Sequence, residues 1–274
     1  MRLQSPDCDA DQRVDGARVI SCLRFATPFQ DEAGLDERQA RMEGWGVKVT
    51  ADFQEAVADC DAVMICINDP SCHLEFFTKC ADIGKPIFLD KPLADTGENG
   101  AAIYKLAKER QLRVMSSSAL RYAPDMMEAC EVVPEPKCGS FYGPLGKAPV
   151  GSSIVWYGVH AFEMLQRSMS SGASRVSVQS DKVGITALVE YDDRRRGVVE
   201  LVESVYQYGG CLRDAKISAP FAVDINRLYV DELTEIVRFL GGGDPPLTME
   251  DTLEVMLLLD AAERSYRSGK PAKL

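Results

Sequence analysis

Between residues 17 and 117, apolar runs of strand length alternate with amphipathic stretches of helix length, joined by only a few residues. Residues 17–25, 47–49, 61–67, 86–89 and 113–117 read as strands, and 36–43, 52–58, 73–83 and 97–110 as helices. Parallel strands need a long crossover and a helix supplies it, so this alternation specifies a parallel sheet flanked by helices. The run at 61–67 (DAVMICI) is apolar throughout, as expected of a strand covered on both faces. Gly84 suits the left-handed position that ends a helix.

The pattern changes after Leu120. Residues 134–149 are rich in proline and glycine without periodicity and are expected to form a loop. A helix is expected over 157–169. Residues 174–180, 184–191 and 196–205 then alternate like strands joined by tight turns, the pattern of an antiparallel sheet. Two helices, 227–240 and 249–267, close the chain around Gly241-Gly242-Gly243-Asp244-Pro245-Pro246. These features divide the chain into domains 1–120 and 121–274.

Charge and composition exclude several function classes. The formal net charge of −11 argues against nucleic acid and anionic membranes, both of which recruit clustered Lys and Arg. The one basic run, Arg194-Arg195-Arg196, follows Asp192-Asp193 and reads as a solvated hairpin tip. No run of about eighteen apolar residues suggests a membrane span. The polar start, with Asp7, Asp9, Asp11 and Asp15, lacks the form of a signal peptide, so a cytoplasmic location is expected. The 9 cysteines include no Cys-x-x-Cys pair and only 2 histidines accompany them; reduced, structural thiols are expected and no metal site.

One constellation carries chemistry. Asn68-Asp69-Pro70-Ser71-Cys72-His73 follows the 61–67 strand, Asp90-Lys91-Pro92-Leu93 follows the 86–89 strand, and a later helix carries Tyr157-Gly158-Val159-His160-Ala161-Phe162-Glu163. This arrangement, with Arg121-Tyr122 and the closing Ala261–Ser265 and Gly269-Lys270-Pro271, resembles the Gfo/Idh/MocA family over nearly all of the chain from Ala17 onward. The resemblance implies an α/β protein: a Rossmann-like parallel sheet, then an α+β domain with an antiparallel sheet. It also implies NAD or NADP as cofactor, a sugar-like or polyol substrate, hydride transfer, and a homo-oligomer, dimer or tetramer.

By the same resemblance Lys91 lies near the nicotinamide and contacts a substrate hydroxyl, where an ammonium stabilises a developing alkoxide. Pro92 directs the backbone so that Lys91 leaves the strand end extended. His160 is the candidate acid–base. Asn68, Asp69, Pro70, His73, Asp90 and Pro92 are expected with Lys91 on the cofactor side, and Arg121, Tyr122, Trp156, Tyr157 and Glu163 on the substrate side. Arg121 reads equally as a clamp between domains. Members commonly place Asp four residues before the histidine; here the position is Trp156, while Glu163 keeps a carboxylate on that helix face.

The chain has no Gly-x-Gly-x-x-Gly turn. Residues 17–25 correspond to the second strand of such a domain and 12–16 to the connection leading into it. The first strand, its turn and its helix are therefore expected to be missing, through a truncated reading frame or through a shortened domain in which strand two pairs with strand four. Ser21-Cys22-Leu23-Arg24-Phe25 ends without the acid that binds a ribose, and Arg24 suits a 2′-phosphate, which leaves NAD and NADP both open. The competing function is a non-catalytic relative that binds a ligand or oligomerises, its cofactor site lost.

Overall fold

The computed structural model describes residues 8–274; the first seven, with Asp7 of the polar N-terminal stretch, lie outside the described residues. The first half contains β1 (Ser21–Leu23), α1 (Glu32–Gly44), β2 (Lys48–Thr50), α2 (Phe53–Val57), β3 (Val63–Ile65), α3 (His73–Ala81), β4 (Ile87–Leu89), α4 (Gly97–Glu109) and β5 (Val114–Met115). Local chemistry starts the helices: the Asp31, Asp52 and Thr96 side chains accept the Gly34, Glu55 and Asn99 amides.

All pairs here are parallel, but they form two sheets. β1 pairs with β2, and β3, β4 and β5 pair in that order. Closure of the sheet by strand two on strand four does not occur among the described residues. Phe25, just past β1, stacks on Phe76 of α3 with ring centroids 4.6 Å apart, so β1 is anchored over a helix and not along the free edge of β3. The expectation that 61–67 is covered on both faces is also corrected, since Met64 and Cys66 are exposed beside that edge.

The second half contains α5 (Pro124–Val132), β6 (Cys138–Pro144), α6 (Ser153–Trp156), α7 (Val159–Met169), β7 (Ala173–Ser180), β8 (Gly184–Tyr191), β9 (Arg196–Val202), β10 (Gly209–Arg213), β11 (Ser218–Ala222), α8 (Leu228–Leu240), α9 (Met249–Ser268) and β12 (Ala272–Lys273). Seven strands form one sheet, ordered β11-β10-β6-β9-β8-β7-β12, antiparallel except for the parallel pair β6–β9.

The expected loop at 134–149 thus contains a central strand. β6 is paired on both sides, by β9 and β10, whose residues lie more than fifty positions away. A Cβ at Gly139 would meet the Phe141 ring at 2.7 Å and the Met169 sulfur at 2.8 Å, so glycine there serves close packing. The Arg194–Arg196 tip is likewise more than solvated: Arg195 donates to the Met169 and Ser171 carbonyls and lies over the Tyr191 ring.

Two helices of the second half pack against the first. α9, started by a Thr248–Asp251 capping box, crosses α4 where Gly100 admits Met256; a Cβ there would stand 2.6 Å from the Met256 side chain. α8 lays Ile236 and Phe239 on Phe88 of β4 and Met115 of β5. Each such buried side chain stabilises the contact by roughly 1.5–3 kcal/mol. This packing brings α7 and α8 to the carboxyl ends of β3, β4 and β5.

Candidate functional site

Because β3, β4 and β5 are parallel, the segments that follow them leave the sheet at one rim, where ligands of open parallel sheets bind. Lys91 follows β4 there, through a cis Lys91–Pro92 peptide. Its side chain makes no hydrogen bond or ion pair among the described residues. His160 of α7 faces the same cleft. Burial first, and the Lys91 charge second, hold its imidazole well below the ordinary histidine range.

His160 Nδ1 lies 2.7 Å from Ser118 Oγ, which also accepts the Leu120 amide at 3.2 Å. A serine hydroxyl can donate to Nδ1 or accept from it, so either tautomer is supported and Nε2 is left without a partner among the described residues. Tyr157 and Tyr208 meet the imidazole edge-on, with centroids at 5.5 and 5.8 Å. Asp90 stands beside Lys91; burial pushes its carboxyl up, and the ammonium opposes the shift.

The other residues singled out from the sequence divide by what they touch. Asn68 offers its carbonyl to Trp156 Nε1 at 3.1 Å, and Asp69 caps the turn Pro70–Cys72 through the Ser71 amide and hydroxyl. Trp156 packs on Phe29 and Tyr157, one ring removed from His160. Tyr122 bonds Ser117 Oγ at 2.9 Å, and burial pushes its phenol up.

Four of the expected ligand contacts are replaced by internal ones. Arg24 bonds Gln39, Glu32 and Asp36, all of α1. His73 is sealed, with Nδ1 2.9 Å from the Pro92 carbonyl and Nε2 2.8 Å from the Ile67 carbonyl; it staples the two rim segments together. Arg121 and Glu163 form a buried ion pair of 2.8 Å, completed by Gln166 Oε1 on the arginine and the Ser118 amide on the glutamate. They join the segment after β5 to α7, which leaves the clamp reading of Arg121.

Sequence reasoning missed two polar groups of the cleft. Ser118 is one of three consecutive serines after β5 and carried no distinguishing mark. Glu232 did carry one. It shares the buried stripe of α8 with Leu228, Ile236 and Phe239, where an acid is out of place.

The family profile described as an oxidoreductase family with an NAD-binding Rossmann fold matches residues 32–118. Inositol 2-dehydrogenase 1 of Saccharopolyspora erythraea is 24% identical over 94% of this chain and 82% of its own length. Residues 32–118 are thus similar to the NAD-binding region of the Gfo/Idh/MocA family. An inositol 2-dehydrogenase of Rhizobium meliloti is 30% identical over 33% of the chain, a stretch covering 27% of that relative, so the chain matches about a quarter of its length. Among solved structures of this fold, the myo-inositol dehydrogenase of Lactobacillus casei, in complex with NAD(H) and myo-inositol, superposes with a TM-score of 0.80 at 16% identity. It covers 95% of this chain and 90% of that one.

The rim suits one end of the family's cofactor. The free Lys91 ammonium and the Asn68–Pro70 loop fit the nicotinamide end, which is uncharged in its reduced form and rich in hydrogen-bonding groups. Among the described residues no glycine-rich turn joins a strand to a helix to hold a pyrophosphate.

Proposed function

We propose that this chain acts as an oxidoreductase that moves hydride between NAD or NADP and a hydroxylated, sugar-like or polyol substrate. The observation that carries this reading is the shared cleft: an unpaired ammonium on Lys91 and a neutral imidazole on His160, at the carboxyl rim of a parallel sheet. The family supports it, as do relatives and structural neighbours named for inositol oxidation.

A bound nicotinamide, held beside Lys91 and the 68–70 loop, would supply the hydride acceptor or donor for the substrate carbon. The rest falls to side chains. Lys91 has its N–H donors free for the substrate oxygen and stabilises negative charge there, an interaction that strengthens as water is excluded. His160, kept neutral with its proton on Nδ1 donated to Ser118 Oγ, takes the hydroxyl proton on Nε2 in oxidation or returns it in reduction, Ser118 accepting from Nδ1 throughout. Tyr157 and Tyr208 wall the imidazole.

In this reading residues 1–120 serve the cofactor and 121–274 the substrate, in a cytoplasmic dimer or tetramer. Isothermal titration with NADH and NADPH, followed by a dehydrogenase assay on myo-inositol, tests it. Binding of one nucleotide and turnover that depends on Lys91 are expected. A folded chain that binds neither nucleotide defeats the proposal.

A further inference from the structure

Glu232 is 7% exposed, on the α8 face that covers the ends of β4 and β5. Its carboxyl makes no hydrogen bond and no ion pair among the described residues. Nor is it sealed: the one fully enclosed polar side-chain atom without a partner among those residues is Asp231 Oδ2. The Glu232 oxygens therefore retain some accessible surface. Around them stand Asp90 and Lys91 from the end of β4, Glu163 from α7, Tyr122 after β5, and Tyr229 one turn earlier on α8.

A carboxyl held this deep without a donor is costly, and an apolar residue would serve the packing of α8 better. Its neighbours do not relieve it. Asp90 carries the same charge, Glu163 is taken by Arg121, and Lys91 stands near without closing an ion pair. A cation is a poor occupant beside that ammonium. The complementary ligand is one whose own hydroxyls donate. Once ionised, the form that donating ligand hydroxyls favour, the carboxyl accepts two neighbouring hydroxyls, one on each oxygen, while Lys91 and His160 take the oxygen on the reacting carbon.

We propose that Glu232 is the substrate-holding carboxyl of this cleft, accepting hydrogen bonds from hydroxyls next to the reacting carbon and so selecting a polyol over a simple alcohol. This deepens the oxidoreductase reading and rests on it for the reacting carbon. It supplies an acceptor to a site that has Trp156 in the position one helical turn before His160.

The test is isothermal titration of the full chain, without nucleotide, with myo-inositol and with cyclohexanol as the single-hydroxyl control. Glu232→Gln keeps the side-chain shape, and its thermal melt verifies folding. Wild type should bind myo-inositol more tightly than cyclohexanol, and Glu232→Gln should lose about 10- to 100-fold in myo-inositol affinity, the range of a hydrogen bond to a charged group. Its affinity for cyclohexanol should stay unchanged. Equal myo-inositol affinity in the two proteins, no wild-type preference for myo-inositol, or no wild-type binding of it overturns the assignment. Titration with NADH separates the two readings. Nucleotide binding with unaltered polyol affinity in Glu232→Gln removes only the role of Glu232; absent nucleotide binding removes the oxidoreductase and leaves the polyol result standing.

Discussion

Lys91, after β4, and His160, on α7, face one cleft, and the ammonium adds to burial in holding the imidazole neutral. Two segments some seventy residues apart thereby act on one another. The ammonium thereby favours the condition the base needs, an imidazole that stays unprotonated.

Replacing Lys91 by Met tests that coupling without any assay of turnover. Removing the cation leaves burial as the main cause, so the His160 pKa rises toward its ordinary value while remaining below it. With only 2 histidines in the chain, and His73 sealed between carbonyls, the imidazole signals in NMR titration are readily separated. In the same variant turnover should fall by about 10²–10³-fold, the usual effect of losing one donor to a developing oxyanion. An unmoved His160 titration contradicts the geometry.

Glu232→Gln should change how stability depends on pH. Burial, with Asp90 adding and Lys91 opposing, pushes the Glu232 carboxyl well above its ordinary value in the folded chain. Above a pH of about 4.5 the unfolded side chain has released its proton while the folded one retains it, so the native state binds more protons and loses stability as pH rises. Glutamine cannot titrate. The melting temperature of Glu232→Gln relative to wild type should therefore increase from pH 4.5 to pH 8. A constant difference across that range refutes the shift.

Arg121→Met should lower stability by about 3–5 kcal/mol, because Glu163 is left buried and unpaired. Joint replacement with Glu163→Leu should recover most of the loss, since an apolar pair of similar volume suits the site. Denaturant unfolding of the two singles and the double measures the coupling. Losses that simply add contradict the clamp.

Amides at the outer edges of β1 and β3 should exchange hydrogen faster than those of β4, which is paired on both sides. Hydrogen exchange resolved by residue measures this. Equal protection at the two edges and in β4 implies that the edges meet.

Much of the fold was legible because its signals are local. Apolar runs of strand length, amphipathic stretches of helix length and the helix-ending Gly84 act over a few residues, and they located β1 to β5 and the helices between them. β6 was not legible. Gly139, Gly143 and Pro144 have poor strand propensity, and only pairing with distant β9 and β10 makes that segment a strand. The site divided the same way. Lys91 and His160 came from the family resemblance and Arg121 read equally as a clamp, whereas Arg24, His73 and Glu163 gave no sign in the sequence that their polar atoms are consumed internally.

The sequence by itself determined the alternation of elements, the family resemblance and the two side chains that the cleft brings together. Tertiary structure alone decided which polar groups remain free. Whether an arginine meets a glutamate, or a glutamate on α8 finds no donor, depends on contacts between segments far apart in the chain, and burial then fixes the cost of each unpaired charge.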